Sequence, residues 1–492
     1  MLLTSYFRAK ISRTWFTQRI FQHAFIVPSH FLVSLSILLL LLFLKETTMP
    51  ATLSTFLAVV VSSAMALTPA KPKILSVGLS AIDFVATVDQ FPQPDDKIRS
   101  TSLVAEGGGN AANSACAMGR LDPYVDVTLL TAVGDDANGD SILSGVQQYN
   151  VACQAQRFAG SSPFTYILVT DDAEGDSTRT CIHQPATGDL STDFVLEQVD
   201  LSKFDAVHYD LRYPTAAMAL AEKCTQIQKP YSVDVERPRE GLVEIMQGAS
   251  VVVCTENYFN TVEWEEGETN LSVEEKLVKI IERQAPQAKV AVVTLGSKGC
   301  CLVQLNAANS STSTTMTIKD PKEWNQRALL AARIANDAQS MAASVEANMA
   351  AMNDSISNSN SNEEEEILLQ DTGDSNIPTV TLSRKNLQDH TVLFCSAFGG
   401  CNVVDTTGAG DSFIGGFLTA YWNAVVNAQD DDSVVSPLSL AHALRVASRV
   451  ASQKIQQMGA RKGLPKAQED DFIQQEMKSI HELSAGGVLQ QA

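Results

Sequence analysis

Asp405-Thr406-Thr407-Gly408-Ala409-Gly410-Asp411-Ser412-Phe413 sets a turn of small residues directly before a stretch of helical periodicity. Phe413, Ile414, Phe417, Leu418 and Tyr421 recur at the spacing of one apolar helix stripe, although Gly415 and Gly416 weaken helix propensity there. Gly408 and Gly410 let the chain turn sharply and let a ligand come close to its N–H groups. The unpaired N–H groups and the positive dipole end of a helix favour an anion such as phosphate. Asp411 stands beside that cradle, where a carboxylate accepts a proton from an alcohol. An anion cradle next to a base is what phosphoryl transfer requires. The plainer alternative is that Asp411 only caps the helix.

A second glycine turn, Gly107-Gly108-Gly109-Asn110-Ala111-Ala112-Asn113, leads to Gly119-Arg120-Leu121 far upstream. Taken in order, the two turns resemble the paired motifs of the ribokinase-like (PfkB) carbohydrate kinases. Gly78-Leu79-Ser80-Ala81-Ile82-Asp83 is similar to that family's first strand and substrate-binding aspartate. The stretches Phe91-Pro92-Gln93-Pro94-Asp95-Asp96-Lys97-Ile98-Arg99 and Ser232-Val233-Asp234-Val235-Glu236-Arg237-Pro238-Arg239 resemble ketohexokinases within it. Thr294-Leu295-Gly296-Ser297-Lys298-Gly299 is similar to the nucleotide loop of ribokinases, and Gly459-Ala460 lies where the family closes its adenine pocket. The resemblance spans roughly residues 71–465 and implies a three-layer α/β/α domain with a mostly parallel central sheet and a small β lid.

The sequence has 492 residues, 45% of them hydrophobic, and a net charge of −20. Length alone suggests two or three domains, whereas the motif span favours one large α/β domain with additional segments. The acidic balance argues against a nucleic-acid partner, which wants a basic patch. Nine cysteines lack CxxC or metal spacing and read as buried thiols, and the seven histidines never cluster.

Residues 1–70 read as a targeting segment outside the fold. Arg8, Lys10, Arg13 and Arg19 precede an apolar stretch at 24–44 that is marginal for a membrane span and equally fits a signal anchor or signal peptide. Ala64-Met65-Ala66 is a candidate cleavage site, and Met49 an alternative start. Secretory pathway, organelle and membrane anchoring all remain open, and any membrane contact is expected only through 24–44. From 71 to 305, β-branched runs at 127–133, 206–209, 231–235, 250–254 and 290–295 alternate with helical patterns such as 216–226 and 273–283, as in a parallel sheet. A strand–turn–strand pattern around 163–182 differs. With the segment near 99–105 it maps onto the family's lid, here about 88–105 and 160–185, which pairs into homodimers in relatives. Residues 306–390 are polar and low in complexity and read as an insertion, largely disordered around 353–375. Residues 391–465 carry the second half of the kinase domain, and 466–492 read as a tail.

The resemblance assigns roles residue by residue. Asp411 is the expected base, and the N–H groups of Gly408, Ala409 and Gly410 the anion hole. Arg179, on the lid, is a candidate charge clamp. Asp83, Asp95, Gly108, Gly109, Asn110 and Asn113 match sugar-binding positions, with a surface turn as the alternative for Asp95. Thr294, Gly296, Gly299 and Gly459 match the nucleotide site. ATP and Mg2+ are the implied cofactors. Asp405 and Thr407 match a monovalent-cation site (K+), and Glu236 is a candidate magnesium ligand through water. One departure stands out: Thr255-Glu256-Asn257-Tyr258-Phe259-Asn260 lacks the glutamate of the family's Asn-x-x-Glu motif at its spacing. The expected activity is ATP-dependent phosphorylation of a sugar, ketohexose or fructose favoured. A ribose or adenosine-like nucleoside kinase and a non-catalytic binding member are the alternatives.

Overall fold

The computed structural model describes residues 69–171, 177–305, 365–370, 376–383, 390–428 and 435–485, and the side chains at 171, 177–179 and 365–367 lie outside that description. The expected targeting segment, with its stretch at 24–44, and most of the expected insertion fall outside the described residues. Among the described residues no helix is long and apolar enough to cross a membrane.

The centre is a parallel sheet built from short apolar runs. β1 (Lys73–Val77), β4 (Asp126–Gly134), β5 (Val151–Phe158), β8 (Ala206–Tyr209), β9 (Tyr231–Val235), β10 (Val251–Thr255) and β11 (Val290–Thr294) pair in parallel in the order β11-β10-β9-β8-β1-β4-β5. Such strands are buried on both faces, so they read as continuous rather than alternating hydrophobic sequence. Neighbouring residues feed opposite cores. Ile74, Leu129, Val251 and Val253 join one cluster with α1 (Asn110–Arg120), α8 (Ala409–Val426) and α9 (Pro437–Lys454). Leu75, Leu130, Val252 and Val233 join the other. That second layer holds α4 (Pro214–Gln226), α5 (Leu242–Gly248) and α7 (Val273–Gln284). The result is the expected three-layer α/β/α arrangement.

The sheet continues antiparallel beyond β11 through β12 (Cys300–Gln304), β15 (Thr391–Cys395), β14 (Val380–Ser383) and β13 (Glu365–Leu369). Two of these strands lie inside the stretch expected to be an insertion. Glu365 and Glu366 belong to an acidic tract that masks the short apolar run behind it, and Leu368 and Leu369 pack against the core. The expected tail also differs. α10 (Asp471–Ser484) buries Ile473, Met477 and Ile480, and its Glu476 accepts from His442 Nδ1 at 2.6 Å. Six of the nine free cysteines are buried.

A separate four-stranded sheet has the order β3-β2-β6-β7, from β2 (Ala81–Val88), β3 (Ser102–Gly108), β6 (Phe164–Asp171) and β7 (Ser177–Gln184). Its register puts Asp83 opposite Thr165, and Phe84 opposite Tyr166, which in turn faces Ile182. Strand alternation therefore sends Asp83, Val85, Thr165 and Ile167 to one face and Phe84, Tyr166 and Ile182 to the other. β2, the strand after Gly78, was not foreseen as part of the lid.

Candidate active site

The carboxyl ends of the parallel strands, where α/β folds place their ligands, open into a cavity of about 490 Å³. Asp83, Asn110, Asn113, Arg212, Asp234, Glu236, Thr294 and the turn 406–411 line it. The two glycine turns, distant in sequence, therefore meet.

Asp411 sits in the first turn of α8, whose N-cap, Gly408, has φ +73, a conformation glycine adopts without strain. Helix geometry leaves the N–H groups of Gly410 and Asp411 without intrahelical acceptors. The Ala409 N–H, expected in the anion hole, donates instead to the Thr406 carbonyl at 3.1 Å. The glycine pair that weakened the helix reading has a packing reason. A Cβ on Gly415 would stand 2.6 Å from Ala117 Cβ, and one on Gly416 would stand 2.9 Å from Ala447 Cα. α8 thus lies tightly between α1 and α9.

Asn113 Nδ2 donates to Asp411 Oδ2 at 2.8 Å, and Asn113 Oδ1 accepts from Arg461 Nε at 2.9 Å. Arg461, itself buried, also donates to the Gly108 carbonyl at 2.7 Å. Because Arg461 occupies the amide oxygen, the amide nitrogen is the atom left to face the Asp411 carboxylate. Burial pushes the Asp411 carboxyl up to about 7, opposed by the Asn113 bond and reinforced by the charges of Glu236 and Asp210. Burial likewise raises Asp83, with the Thr165 bond acting against it. Asp234 is raised well above its ordinary value by burial and then by Asp411.

Asp210 organises the near wall. Its carboxylate accepts from the N–H groups of Leu79, Ala111 and Arg212 at 2.9, 3.0 and 2.9 Å. Leu211 between Asp210 and Arg212 has φ +59, a costly conformation for this residue of the kind found at functional sites. Arg212 Nη2 reaches Asn110 Oδ1 at 3.0 Å and Glu236 Oε2 at 3.3 Å, while its buried Nε has no partner among the described residues.

Other expected positions divide. Gly108 and Gly109 lie where β3 meets α1, and Thr294 lines the cavity. Gly296 and Gly299 form the β11–β12 turn, away from the lining. Gly459 lines a second cavity of about 340 Å³ that shares Asp83 and Thr407 with the first. Asp95 is exposed in a turn with φ +69 and does not line either cavity, so the surface-turn alternative describes it. Arg179 lies on β7 opposite Val169, with its side chain outside the described residues.

The expected metal positions do not fit metal ions. Glu236 Oε2 is ringed by Arg239 at 3.0 Å, Arg212 at 3.3 Å and Arg237 at 4.0 Å, which hold its carboxylate below the ordinary range despite the opposing effect of burial. Three guanidinium groups there would repel Mg2+. Among the described residues no cluster of three His, Cys, Asp or Glu side chains could hold a metal ion. Asp405 accepts from the N–H groups of Thr407 and Gly459 at 2.8 and 2.7 Å, and its main-chain carbonyl accepts from Lys454 Nζ at 2.7 Å. A protein ammonium thus already sits against Asp405, the residue expected to face a monovalent cation.

Sequence reading missed Asp210, Arg212, Asp234, Lys454 and Arg461 as site residues. The available signal was positional: Asp210 and Arg212 directly follow a strand, and Arg461 follows Gly459-Ala460.

The sequence model of the family described as pfkB family carbohydrate kinase matches residues 71–322 and 380–467, more than half of the chain. An ATP-dependent ribose-1-phosphate kinase of Halopiger xanaduensis is 30% identical over 34% of this chain and 54% of its own. Ketohexokinase of Mus musculus is 28% identical over 38% and 64%. The chain thus spans about half the length of the first relative and under two thirds of the second. Among solved structures, ribokinase of Giardia lamblia (TM-score 0.54, 18% identity) covers 83% of this chain and 99% of its own. Ribokinase of Arabidopsis thaliana, complexed with ribose and ATP, gives a TM-score of 0.53 at 16% identity with the same coverage. These likenesses bear on the fold, and the family match spans both glycine turns: the chain belongs to the pfkB family of carbohydrate kinases.

Proposed function

We propose that this protein is an ATP-dependent sugar kinase that transfers the γ-phosphoryl group to a hydroxyl of a ketohexose- or fructose-like sugar. The observation that carries this reading is the Asp411 carboxylate, held by Asn113 at the head of α8 inside a cavity lined by sugar-compatible polar groups. The acceptor hydroxyl loses its proton to Asp411 as its oxygen attacks the γ-phosphorus. The bond to the β-γ bridging oxygen breaks, and ADP leaves with that electron pair. The Gly410 and Asp411 N–H groups offset negative charge on the phosphoryl oxygens. Asp83 and Arg212 would orient the acceptor's hydroxyls. Magnesium carried by ATP would supply neutralisation of phosphate charge, and none of the side chains described above would need to hold it.

A second reading, a phosphorylated pentose as acceptor, is favoured by Arg212 and Arg237 lining the same cavity, and matches the name of the Halopiger relative. The test is ADP release across ketoses, aldoses, nucleosides and pentose phosphates, alongside Asp411→Asn. Absence of acceptor-dependent turnover in wild type would sink the kinase reading, and full turnover in the variant would remove Asp411 as base. Two further expectations stand as proposals: a targeting role for residues 1–70, checked by mapping the mature N-terminus, and a homodimer through the lid.

A further inference from the structure

We propose that Lys454 is a built-in monovalent cation for the anion turn, so that this protein works without bound potassium. Lys454 is the last residue of α9 and is 0% exposed. Lysine this deeply buried persists only when its charge is matched by partners. Here its Nζ lies 2.7 Å from the Asp405 carbonyl and 4.0 Å from Asp405 Oδ2.

The surroundings tie that charge to the turn that meets phosphate. The N–H groups of Val404 and Asp405 donate to the Ile455 carbonyl at 2.8 and 3.0 Å, fastening the turn to the end of α9. Asp405 Oδ2 accepts from the Gly459 N–H at 2.7 Å. The helix end, the loop after it and the turn therefore close around Asp405, with the ammonium on its carbonyl. Carbonyl oxygens pulled toward a cation leave the N–H groups of the following peptides pointing the other way, toward an incoming anion. A potassium ion seated at Asp405 would lie beside this ammonium, and two cations that close inside a protein repel strongly. Lysine gives the same fixed charge with no dependence on the ionic medium. It lines neither cavity, so it is a positioning residue.

The proposal rests on the kinase reading for its effect on turnover, but thermal stability tests it independently. Melting and sugar-dependent ADP release are measured in chloride salts of potassium, ammonium, sodium and tetramethylammonium at about 0.1 M, where general screening is equal. Wild type is expected to show the same melting temperature and the same turnover in all four. Lys454→Ala should melt lower and lose roughly tenfold to hundredfold in turnover. Potassium and ammonium, which fit the vacated space, should selectively recover both properties, and tetramethylammonium should recover neither. Lys454→Met, which keeps the volume without the charge, should be impaired and not recovered. Wild-type melting or turnover that needs potassium would overturn the proposal while leaving the kinase reading intact. So would a Lys454→Ala variant that melts and turns over like wild type, or that no cation restores. If no acceptor is turned over, the kinase reading fails, and the melting series still decides the role of Lys454.

Discussion

Asp411 is an ordinary aspartate whose surroundings set its chemistry. Burial raises its carboxyl to about 7 from an ordinary 3.8. A base must be ionised, so kcat/KM is expected to rise with pH through about 7 and level off above it. Stability runs the opposite way. The folded carboxyl keeps a proton that the unfolded aspartate has lost, so its stabilising contribution is complete below 3.8 and is lost as pH rises through about 7. Asp411→Asn should therefore cost about 10²–10⁴ in turnover. The same variant should melt higher than wild type at about pH 8, with the gain shrinking toward acid. Arg461 offers a sharper prediction, because it fixes which end of the Asn113 amide faces Asp411, the proposed base. In Arg461→Met the amide is free to turn its oxygen toward Asp411, which favours the protonated carboxyl. A hydrogen bond to a charged group contributes about 1.5–3 kcal/mol, so the acid limb of the kcat/KM profile should move up by about one to two pH units. A merely structural role would lower activity at every pH and leave the limb in place.

At the scale of elements, α8 shows why sequence reading succeeded in one respect and fell short in another. Its start was legible because glycine, alanine and aspartate in that order have few uses besides a tight, anion-accepting helix entry. Its two interior glycines read as a weakness because propensity is a local quantity, whereas the reason for them is the approach of α1 and α9. Gly415→Ala decides between the two effects. Local propensity favours alanine by about 1 kcal/mol, but the new Cβ would press on the Ala117 Cβ and, at 2.7 Å, the Ser114 carbonyl. Overpacking of this kind costs about 1–3 kcal/mol, and the contact with backbone cannot be relieved by a rotamer change. The expected result is a net loss of about 1 kcal/mol or more in the urea midpoint analysis, and a gain would show that the helices separate easily. The same locality explains the other misses. β13 hides behind its own acidic tract, and α10 looks like a tail because its partners on α9 lie well upstream. Asp95 matched a pattern, but a pattern does not reveal that the turn carrying it points into solvent.

For the whole molecule, the lid sheet divides its residues by parity between the cavity and the outside. Asp83, Thr165, Ile167 and His183 line the cavity. Leu103, Tyr166 and Ile182, on the opposite face, are 68%, 52% and 57% exposed. A β-sheet needs cover for an apolar face, and here Phe84 and Phe164 are half-buried against Ile82, Val133 and Ile142, while Tyr166, in contact with both rings, stays exposed with Leu103 and Ile182. A second lid laid against it would bury that face and stiffen the strands that carry Asp83. Association and sugar affinity would then be linked through one thin sheet, while the turn at 405–411 belongs to the main domain. Tyr166→Lys combined with Ile182→Lys should convert a dimer, seen by light scattering as twice 53.0 kDa, into a monomer. The accompanying rise in KM for the sugar should be about tenfold, equivalent to ~1.4 kcal/mol of lost ordering. KM for ATP should change much less, because Thr294 and the α8 entry do not ride on the lid. Equal losses for both substrates would mean that the substitutions unfolded the lid, and a monomeric wild type would remove the second copy as the partner of that face.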